Sequence, residues 1–560
     1  MAIRVARIYL HRSNDYLVAA LTSEALTLAV FFAVYALALT ISHKRLAIML
    51  RAASFIFIIW MALDMLVFHL FWKRLDLADV RTFSQEYSAN FAMMTSSFRS
   101  ENIFPIILFL STIIIPTSLA YQRPAPRWLV IIFGLFSIIF SIITSRAVEL
   151  DTISNPQIVN TLTYNYKYNR RPEYSDEYLQ GALQELNVND KSLACISGRN
   201  LKSDIIIVMM ESLSSYQSKK FSGLNDWTPN LDTIASDGIE INNFLANGFR
   251  TDLGLISTIT GRWPIIPASA SAEPYDAFYG IADALPRRLR SHGYQTSVIS
   301  GSPLNFLKSK EWLQSIGFDE TIGPDMNLDM RQRGDTLKAV FDDDLYDYVL
   351  HKISRSNLPF FQLVVTISSH PPYLNPLTGK AGEEEAFRYA DHSFHQFYKK
   401  LRDINYFDRG GILMVMGDHR ALVPISVNER KIFGASAAAR IPLIIFGLDE
   451  MQISLRGTKG YFQQSDIPPS IEYLLSDQAC FRVHQTNIFA VNQSGANCAL
   501  HVRGDVAQYM NAFCGDQSLT IKFDGDKTRF LEYSPINANT VIAEIASSSV
   551  RLKQLRSGIR

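Results

Sequence analysis

Cysteine and net charge are both scarce in this chain. Its 560 residues contain 4 cysteines, and 54 basic side chains nearly cancel 53 acidic ones, leaving a formal charge of +1. Without a basic excess, the chain lacks the usual signature of a nucleic-acid-binding protein, so we expect no nucleic-acid partner. A hydrophobic content of 48% with 12% aromatic residues excludes overall disorder. The length predicts several domains.

The charges and the long apolar runs divide the chain into two unlike parts. Residues 1–150 carry 13 Lys/Arg against 8 Asp/Glu, whereas the rest carry 41 against 45. Four apolar runs lie in the first part, and only Glu24 and Asp64 interrupt them with charge; they span 17–42, 52–72, 102–121 and 128–145. Each is close to the ~20 residues that cross a hydrocarbon core. We therefore predict a transmembrane α-helical bundle over 1–150.

The orientation of this bundle follows from its basic loops. Loop 43–51 holds three basic residues and loop 122–127 holds two, which the positive-inside rule places in the cytoplasm. Everything after Arg146 would then lie outside a bacterial cytoplasmic membrane. The number of spans and the side of the N-terminus stay open, because Arg4, Arg7 and Arg12 argue against an external N-terminus.

The cysteines agree with export of the second part. All four follow the apolar runs, at Cys195, Cys480, Cys498 and Cys514. An even number in an exported domain predicts disulfides. Three pairings are possible, of which Cys498 with Cys514 is the most local.

After the apolar part the pattern is that of an α/β domain. Residues 151–200 read as a polar connector at the outer membrane surface. From 201 to 499, short apolar runs alternate with helical stretches and predict a central, largely parallel sheet; the runs are Ile205–Met210, Ile239–Phe244, Thr296–Ile299, Leu363–Ile367, Ile412–Met416 and Pro442–Phe446. Residues 500–560 predict a small β-rich accessory segment with a hairpin of Ser518–Phe523 and Thr528–Tyr533.

Polar residues directly follow three of these runs. Glu211 follows the first, His370 comes shortly after Leu363–Ile367, and Asp418-His419 come shortly after Ile412–Met416. Ligands bind at the carboxyl ends of parallel strands, so these side chains should meet at one edge of the sheet. Carboxylates and imidazoles suit Mn²⁺ or Zn²⁺.

Thr251 stands where a helix should begin, after the turn-forming Gly248. A threonine at a helix start is either a simple N-cap or a nucleophile activated by a nearby metal. Beside three residues of metal-ligand type, the nucleophile becomes the stronger interpretation.

Several segments resemble the lipoteichoic acid synthase-like phosphoglycerol transferases, a membrane-bound branch of the alkaline phosphatase/sulfatase superfamily. Asp204–Leu213 resembles their opening strand and first metal ligand, and Gly417-Asp418-His419 resembles their second metal motif. Further similar segments are Thr228–Asp232 (TPNLD), His370 before Pro371-Pro372, Ala439–Ile445 and Ser465–Ser470. The resemblance covers roughly 201–490. It implies an α/β domain of the alkaline phosphatase/sulfatase type behind the membrane part.

The resemblance also assigns roles to single residues. Glu211, Thr251, Asp418 and His419 would hold one divalent metal, with Mn²⁺ preferred and Zn²⁺ or Mg²⁺ as alternatives. Thr251 would also be the nucleophile, and His370 would contact the phosphoryl group or exchange a proton with the leaving or entering oxygen. Our own reading adds substrate contacts at Arg250, which could neutralise phosphate, and at Asn305 and Trp312, which could line the head-group pocket.

The function expected from this set is metal-dependent transfer of phosphoglycerol. Phosphatidylglycerol would be the donor, a hydroxyl of an envelope glycan or glycerolphosphate polymer the acceptor, and a phospho-threonine the intermediate. Two alternatives stay open: a phosphoethanolamine transferase of the same superfamily, and an extracytoplasmic phosphodiesterase or sulfatase-like hydrolase. A formylglycine sulfatase is disfavoured. Such enzymes need a Cys/Ser-x-Pro-x-Arg motif, whereas Thr251 is followed by Asp252-Leu253-Gly254.

Overall fold

The structure is a computed structural model whose well-placed residues form most of the second part of the chain. It describes these ranges, together with isolated residues of the first 180: 43–71, 73–77, 159–168, 194–265, 274–325, 339–356, 359–371, 373–448, 460–481, 485–489, 498–503, 509–515, 517–522 and 529–530. The chain divides into one unit of residues 1–170 with 422–427 and a second unit of 171–421 with 428–560.

The first unit contains one long apolar helix, α1 (Lys44–Phe71). Within the described residues it is the one helix that is long and apolar enough to cross a membrane, over Arg45–Met65 with mean hydropathy 2.2. It matches the predicted run 52–72. The other three runs fall largely outside the described residues. A single such helix is weak support for a membrane protein, so the multi-pass bundle stays a prediction.

Asp64, one of the two charges inside the apolar runs, lies in a buried ion cluster of this unit. Arg74 Nη1 lies 2.7 Å from Asp64 Oδ2, and Arg74 Nη2 lies 3.1 Å from Glu24 Oε1. One arginine thus pairs with both acidic interruptions, because charges this deeply buried require partners. A short helix, α2 (Thr161–Thr163), and the π-helix Tyr164–Tyr168 belong to the same unit.

The second unit is built on a seven-stranded sheet. Its strands in chain order are β2 (Ile205–Met210), β3 (Ile239–Ile241), β5 (Gln295–Ser300), β6 (Glu320–Ile322), β7 (Phe360–Val365), β8 (Ile412–Gly417) and β9 (Leu443–Phe446), while β1 (Ala194–Ser197) and β4 (Phe244–Leu245) pair elsewhere. The order across the sheet is β3-β9-β8-β2-β7-β5-β6. The pairs within β8-β2-β7-β5-β6 are parallel, whereas β9 is antiparallel to both its neighbours. The mostly parallel sheet that the sequence predicts is confirmed.

Helices cover the sheet on both faces. The helices that follow α2 in the chain are α3 (Lys219–Ser222), α4 (Pro229–Ile234), α5 (Thr251–Thr260), α6 (Leu285–Ser291), α7 (Ser309–Ser315), α8 (Asp342–Ser354), α9 (Glu383–Asp403), α10 (Val427–Phe433) and α11 (Ile467–Leu475); α5 and α11 pack on one face and α8 and α9 on the other. Short 3₁₀ turns occupy Ser215–Gln217, Ala235–Asp237, Asp276–Phe278, Phe306–Lys308, Gly434–Ala438 and Gln464–Asp466. All six residues of β2 are buried, because alternate side chains enter two separate hydrophobic clusters, one on each face.

A second sheet of four antiparallel strands follows the main one. It comprises β12 (Ala499–Val502), β13 (Tyr509–Cys514), β14 (Gln517–Lys522) and β15 (Arg529–Phe530), whereas β10 (Phe462–Gln463) pairs with β4 and β11 (Gln478–Phe481) with β1. The predicted hairpin corresponds to β14 and β15. Disulfides join Cys195 to Cys480 and Cys498 to Cys514, which resolves the three pairings left open by the sequence.

Candidate metal and nucleophile site

Two central strands deliver the three predicted metal ligands to one place. Glu211 directly follows β2, and Asp418-His419 directly follow β8, the strand parallel to it. One ligand atom from each of the three residues lies within 4.8 Å of the others. All three side chains are buried, with 2%, 0% and 3% of their surface exposed for Glu211, Asp418 and His419. Adjacent parallel strands therefore build the cluster as the sequence predicts.

The imidazole of His419 is oriented by its own backbone. Nδ1 lies 2.9 Å from the carbonyl oxygen of Arg420. The ring therefore donates its Nδ1 proton there, and Nε2 is left to face the carboxylates. Nε2 lies 3.4 Å from Asp418 Oδ2 and 3.6 Å from Glu211 Oε1. A hydrogen bond of this kind fixes the tautomer of a metal-binding histidine.

The two oxygens of Asp418 have different surroundings. Oδ1 accepts hydrogen bonds from the backbone N–H groups of Ser212 at 2.7 Å and His419 at 2.8 Å. Oδ2 is buried and has no hydrogen-bond partner in the described part of the chain. A buried carboxylate oxygen that accepts no hydrogen bond is costly unless a cation lies beside it. That cation is either the protonated ring of His419, whose Nε2 lies 3.4 Å away, or a bound metal. With a carboxylate oxygen of Glu211 and Nε2 of His419, Asp418 Oδ2 forms a donor set of hard and borderline atoms that fits a divalent metal.

Thr251 is the first residue of α5, as its predicted position at a helix start requires. Its Oγ1 donates a hydrogen bond to Glu211 Oε2 at 3.3 Å. The hydroxyl is therefore not a cap for its own helix but a neighbour of the carboxylate cluster. The sequence-based set Glu211, Thr251, Asp418 and His419 comes together in space.

The electrostatics of the cluster reflect two buried carboxylates beside one imidazole. Burial raises the pKa of Asp418, and the negative charge of Glu211 raises it further. Burial would raise the pKa of Glu211 too, but hydrogen bonding and charge from His419 outweigh that effect and lower it. For His419, burial lowers the pKa, whereas the charge of Asp418 and the hydrogen bond to Glu211 raise it to a net value of about 9. The cluster thus holds protons that a cation would replace.

His370 lies near this cluster. Its charge contributes to lowering the pKa of Glu211. Nδ1 lies 2.7 Å from the carbonyl oxygen of Pro371, which leaves Nε2 available to a substrate. The position agrees with a residue that contacts the substrate.

Arg250 precedes Thr251 but is already engaged. Its Nε and Nη2 donate to the two carboxylate oxygens of Asp252 at 3.0 and 2.9 Å. The Arg250 side chain is 41% exposed, so part of it stays accessible. A role toward phosphate stays a proposal for this residue.

Asn305 and Trp312 occupy different environments. Asn305 is exposed, and its backbone N–H donates to Asp325 Oδ2 at 3.1 Å. Trp312 is 0% exposed, stacks on Tyr275 at 4.3 Å between ring centroids and donates Nε1–H to the carbonyl of Phe278 at 3.0 Å. The expectation that Trp312 lines a head-group pocket is therefore not met: it lies on the inner face of α7 and belongs to the core.

Supporting residues that the sequence reasoning missed hold the ligands in place. The backbone N–H of Glu211 donates to Thr366 Oγ1 at 3.0 Å, and its carbonyl accepts from Ser369 Oγ at 2.6 Å. Gln464 Nε2 donates to the carbonyl of Asp418 at 2.7 Å, and Gln464 Oε1 accepts from the N–H of Asn247 at 3.0 Å. Thr366 and Ser369 could have been found from the sequence, because they follow the strand next to the one bearing Glu211.

Comparison with known proteins supports the reading of this domain. Residues 203–475 match the Sulfatase family. Lipoteichoic acid synthase 1 of Bacillus subtilis (strain 168) is 22% identical over 210 residues, which cover 33% of this chain and 31% of that protein. The chain thus spans about a third of the length of this curated relative.

The fold is shared with a solved structure of TM-score above 0.5. An alkaline phosphatase superfamily protein from Vibrio parahaemolyticus has a TM-score of 0.53 and 20% identity, covering 69% of this chain and 97% of its own. Lipoteichoic acid synthase LtaP from Listeria monocytogenes has a TM-score of 0.47 and 19% identity, covering 67% and 98%. The resemblance drawn from the motifs is confirmed over residues 203–475, which match the Sulfatase family, and the chain shares the fold of the alkaline phosphatase superfamily protein.

Proposed function

We propose that this protein is a metal-dependent phosphotransferase that moves phosphoglycerol from phosphatidylglycerol to a hydroxyl of an envelope glycan or polymer. Thr251 would carry the phosphoglycerol as a covalent phospho-threonine intermediate. The observation that carries the proposal is the hydrogen bond from Thr251 Oγ1 to Glu211 Oε2, beside the buried Oδ2 of Asp418, which accepts no hydrogen bond from any described residue. A hydroxyl in this setting is a nucleophile rather than a helix cap.

The cation would be held by Glu211, Asp418, His419 and Thr251. We expect Mn²⁺ as the bound metal, with Zn²⁺ or Mg²⁺ as alternatives. When bound, a divalent cation lowers the pKa of a hydroxyl nucleophile and neutralises charge on phosphoryl oxygens. Glu211 has a lowered pKa, so its carboxylate is a weak base. It orients the hydroxyl of Thr251 through the hydrogen bond but does not take up its proton. That proton leaves to solvent.

Thr251 and His370 act in both half-reactions, and the proton transfers of the second half reverse those of the first. Thr251 Oγ1 bonds to the phosphorus of the donor, and the bond from phosphorus to the diacylglycerol oxygen breaks. His370, whose Nε2 is available, donates a proton to the departing oxygen. In the second half, His370 takes the proton of the acceptor hydroxyl, whose oxygen bonds to phosphorus while the bond from phosphorus to Thr251 Oγ1 breaks. Thr251 Oγ1 then takes a proton from solvent.

The relatives support a lipid donor, and the disulfides support an external site. The curated relative is a lipoteichoic acid synthase by name. Two disulfides in the second unit suit an oxidising compartment, and α1 supplies a candidate anchor. A catalytic domain outside the cytoplasmic membrane would meet donor lipid in the outer leaflet.

The test uses the full-length protein in detergent-lipid micelles with Mn²⁺ and phosphatidylglycerol labelled in its head group. We expect release of diacylglycerol and a phosphoglycerol adduct on the peptide containing Thr251, found by mass spectrometry. Thr251→Ala should abolish both, whereas Thr251→Ser keeps a hydroxyl and should retain part of the activity. Absence of both products in the unaltered protein would overturn the proposal.

The same experiment separates the alternative activities. Unlabelled phosphatidylethanolamine is added in competition. An adduct with the mass of phosphoethanolamine would identify a phosphoethanolamine transferase, and turnover to free glycerol phosphate without an acceptor would identify a phosphodiesterase. Either outcome would overturn phosphoglycerol transfer while retaining Thr251 as the nucleophile.

A further inference from the structure

Ser212, directly after Glu211, has a backbone conformation that serine rarely adopts. Its φ is +57°, in the left-handed region, and 2% of its surface is exposed. For a residue with a Cβ this conformation is unfavourable, so it persists only where the surroundings impose it. The strained residue contacts two predicted metal ligands, Glu211 and Asp418.

The conformation lets Ser212 contact both carboxylates at once. Its N–H donates to Asp418 Oδ1 at 2.7 Å, and its hydroxyl donates to Glu211 Oε1 at 2.8 Å. One oxygen of each carboxylate is thereby occupied. We assign the other two oxygens to the cation. Glu211 Oε2 accepts from Thr251 Oγ1, and Asp418 Oδ2 accepts no hydrogen bond among the described residues and lies 3.4 Å from His419 Nε2.

Hydrogen bonds on the C-terminal side hold Ser212 in this conformation. The carbonyl of Ser212 accepts from Ser214 Oγ at 2.9 Å and from Gln217 Nε2 at 3.3 Å. On the N-terminal side, the backbone of Glu211 is held by Thr366 and Ser369. The peptide groups on both sides are thus fixed, and Ser212 cannot relax without breaking several hydrogen bonds.

We propose that Ser212 is a positioning residue that makes Glu211 and Asp418 bind the cation through one oxygen each, and so selects against Ca²⁺. This inference rests on the metal site of the proposed function. Ca²⁺ prefers more oxygen ligands and often takes both oxygens of a carboxylate, whereas Mn²⁺, Zn²⁺ and Mg²⁺ accept fewer ligands. Occupying Glu211 Oε1 and Asp418 Oδ1 removes the additional contacts that Ca²⁺ would use.

The test is Ser212→Gly in the full-length protein. Glycine adopts the left-handed conformation without strain and keeps the N–H, so the fold is preserved while the hydroxyl contact to Glu211 is lost. Mn²⁺ and Ca²⁺ binding are each measured by calorimetric titration of the metal-free protein, and folding by thermal unfolding. We expect about tenfold weaker Mn²⁺ binding, the lower end for loss of a supporting hydrogen bond. The preference for Mn²⁺ over Ca²⁺ should fall by a similar factor.

Asn405→Gly is the matched control. Asn405 is an exposed residue with a φ of +55° at the end of α9, and it makes no contact with the ligands among the described residues. Relief of its left-handed conformation should leave both metal affinities unchanged. An unaltered Mn²⁺/Ca²⁺ preference in Ser212→Gly would overturn the positioning role alone. If the unaltered protein itself binds no divalent cation, the proposed metal site fails and the role of Ser212 fails with it.

Discussion

Gly254 faces the backbone of Asp418 so closely that no side chain fits between them. A Cβ placed on Gly254 would lie 2.2 Å from the carbonyl oxygen of Asp418. The helix that begins at Thr251, α5, therefore packs at its fourth residue directly against the loop that carries two of the proposed metal ligands. This contact fixes the position of the proposed nucleophile relative to those ligands.

Gly254→Ala should disturb the site more than the fold. The added methyl group must push α5 away from Asp418, which we expect to lower the free energy of unfolding by about 1–3 kcal/mol and to weaken Mn²⁺ binding at least about tenfold. Calorimetric Mn²⁺ titration and thermal unfolding measure the two effects. Gly379→Ala is the control, because Gly379 has a φ of +70° and open space around it. It should lose stability but keep its metal affinity; equal metal loss in both variants would contradict the prediction.

Metal affinity should rise with pH. The pKa of His419 is about 9, and Nδ1 already donates to a carbonyl, so at pH 7 the extra proton sits on Nε2 and a cation must displace it. Because a ligand must lose its proton to bind, the apparent Mn²⁺ affinity should increase by about tenfold per pH unit for each proton released. Titration calorimetry at pH 7 in two buffers of different ionisation enthalpy counts that release. Binding without proton release would contradict the protonated state of the cluster.

Asp342 should make the fold more stable in mild acid than at neutral pH. Burial raises the pKa of Asp342 from 3.8 to about 6, because hydrogen bonds from Ser368 and Ile367 offset the burial only in part. The folded state thus holds a proton that the unfolded state has lost, and this contribution to stability disappears as pH rises through about 6. Between pH 4 and 7 the loss amounts to about 2 kcal/mol.

Asp342→Asn tests this contribution. The amide cannot ionise, so the stability of the variant relative to the unaltered protein should increase from pH 4 to pH 7, as measured by denaturant unfolding at each pH. Asp347→Asn is the control, because Asp347 lies on the same helix with a side chain that is 62% exposed. A flat difference for Asp342→Asn would refute the assigned pKa.

Arg250 should contribute to donor binding. Arg250→Ala is expected to raise KM for phosphatidylglycerol about tenfold, as loss of a charged hydrogen bond would. Asp252→Asn removes the charged partner of Arg250 but keeps the arginine. Its KM should stay within about twofold of that of the unaltered protein. Arg388→Ala, which breaks a surface pair with Glu384, is the matched control. If Arg250→Ala lowers the stability of the fold without changing KM, the prediction is wrong, and the role of Arg250 is limited to its ion pair with Asp252.

The positions of the candidate ligands could be predicted because these residues occupy the ends of recognisable strands. β2, β7 and β8 are short apolar runs buried on both faces, and parallel neighbours must bring Glu211, His370 and Asp418 to one edge. Thr251 was found because a glycine turn precedes a helix. These features depend on local sequence and on one rule about parallel sheets.

Other features depend on contacts that the sequence does not encode locally. β6 has three residues, too few to give an apolar pattern. Trp312 follows a strand as a pocket residue would, but α7 rotates it into the core. The role of Ser212 depends on its positive φ. The role of Gln464 depends on its contact with Asp418, which lies 46 residues away in the sequence.

The four-stranded sheet near the end of the chain has a consequence for the order of synthesis. Asn247 Nδ2 donates to the carbonyl of Leu500, and His501 Nδ1 lies 2.9 Å from the carbonyl of Ala246, across separations of 253 and 255 residues. The proposed ligands and the proposed nucleophile have all been synthesised by residue 419, yet the loop leading to Thr251 gains these two contacts only when β12 is added. A chain that ends before β12 would therefore carry every proposed site residue without the contacts that position this loop. We expect the site to take its final geometry only after the last strands have folded.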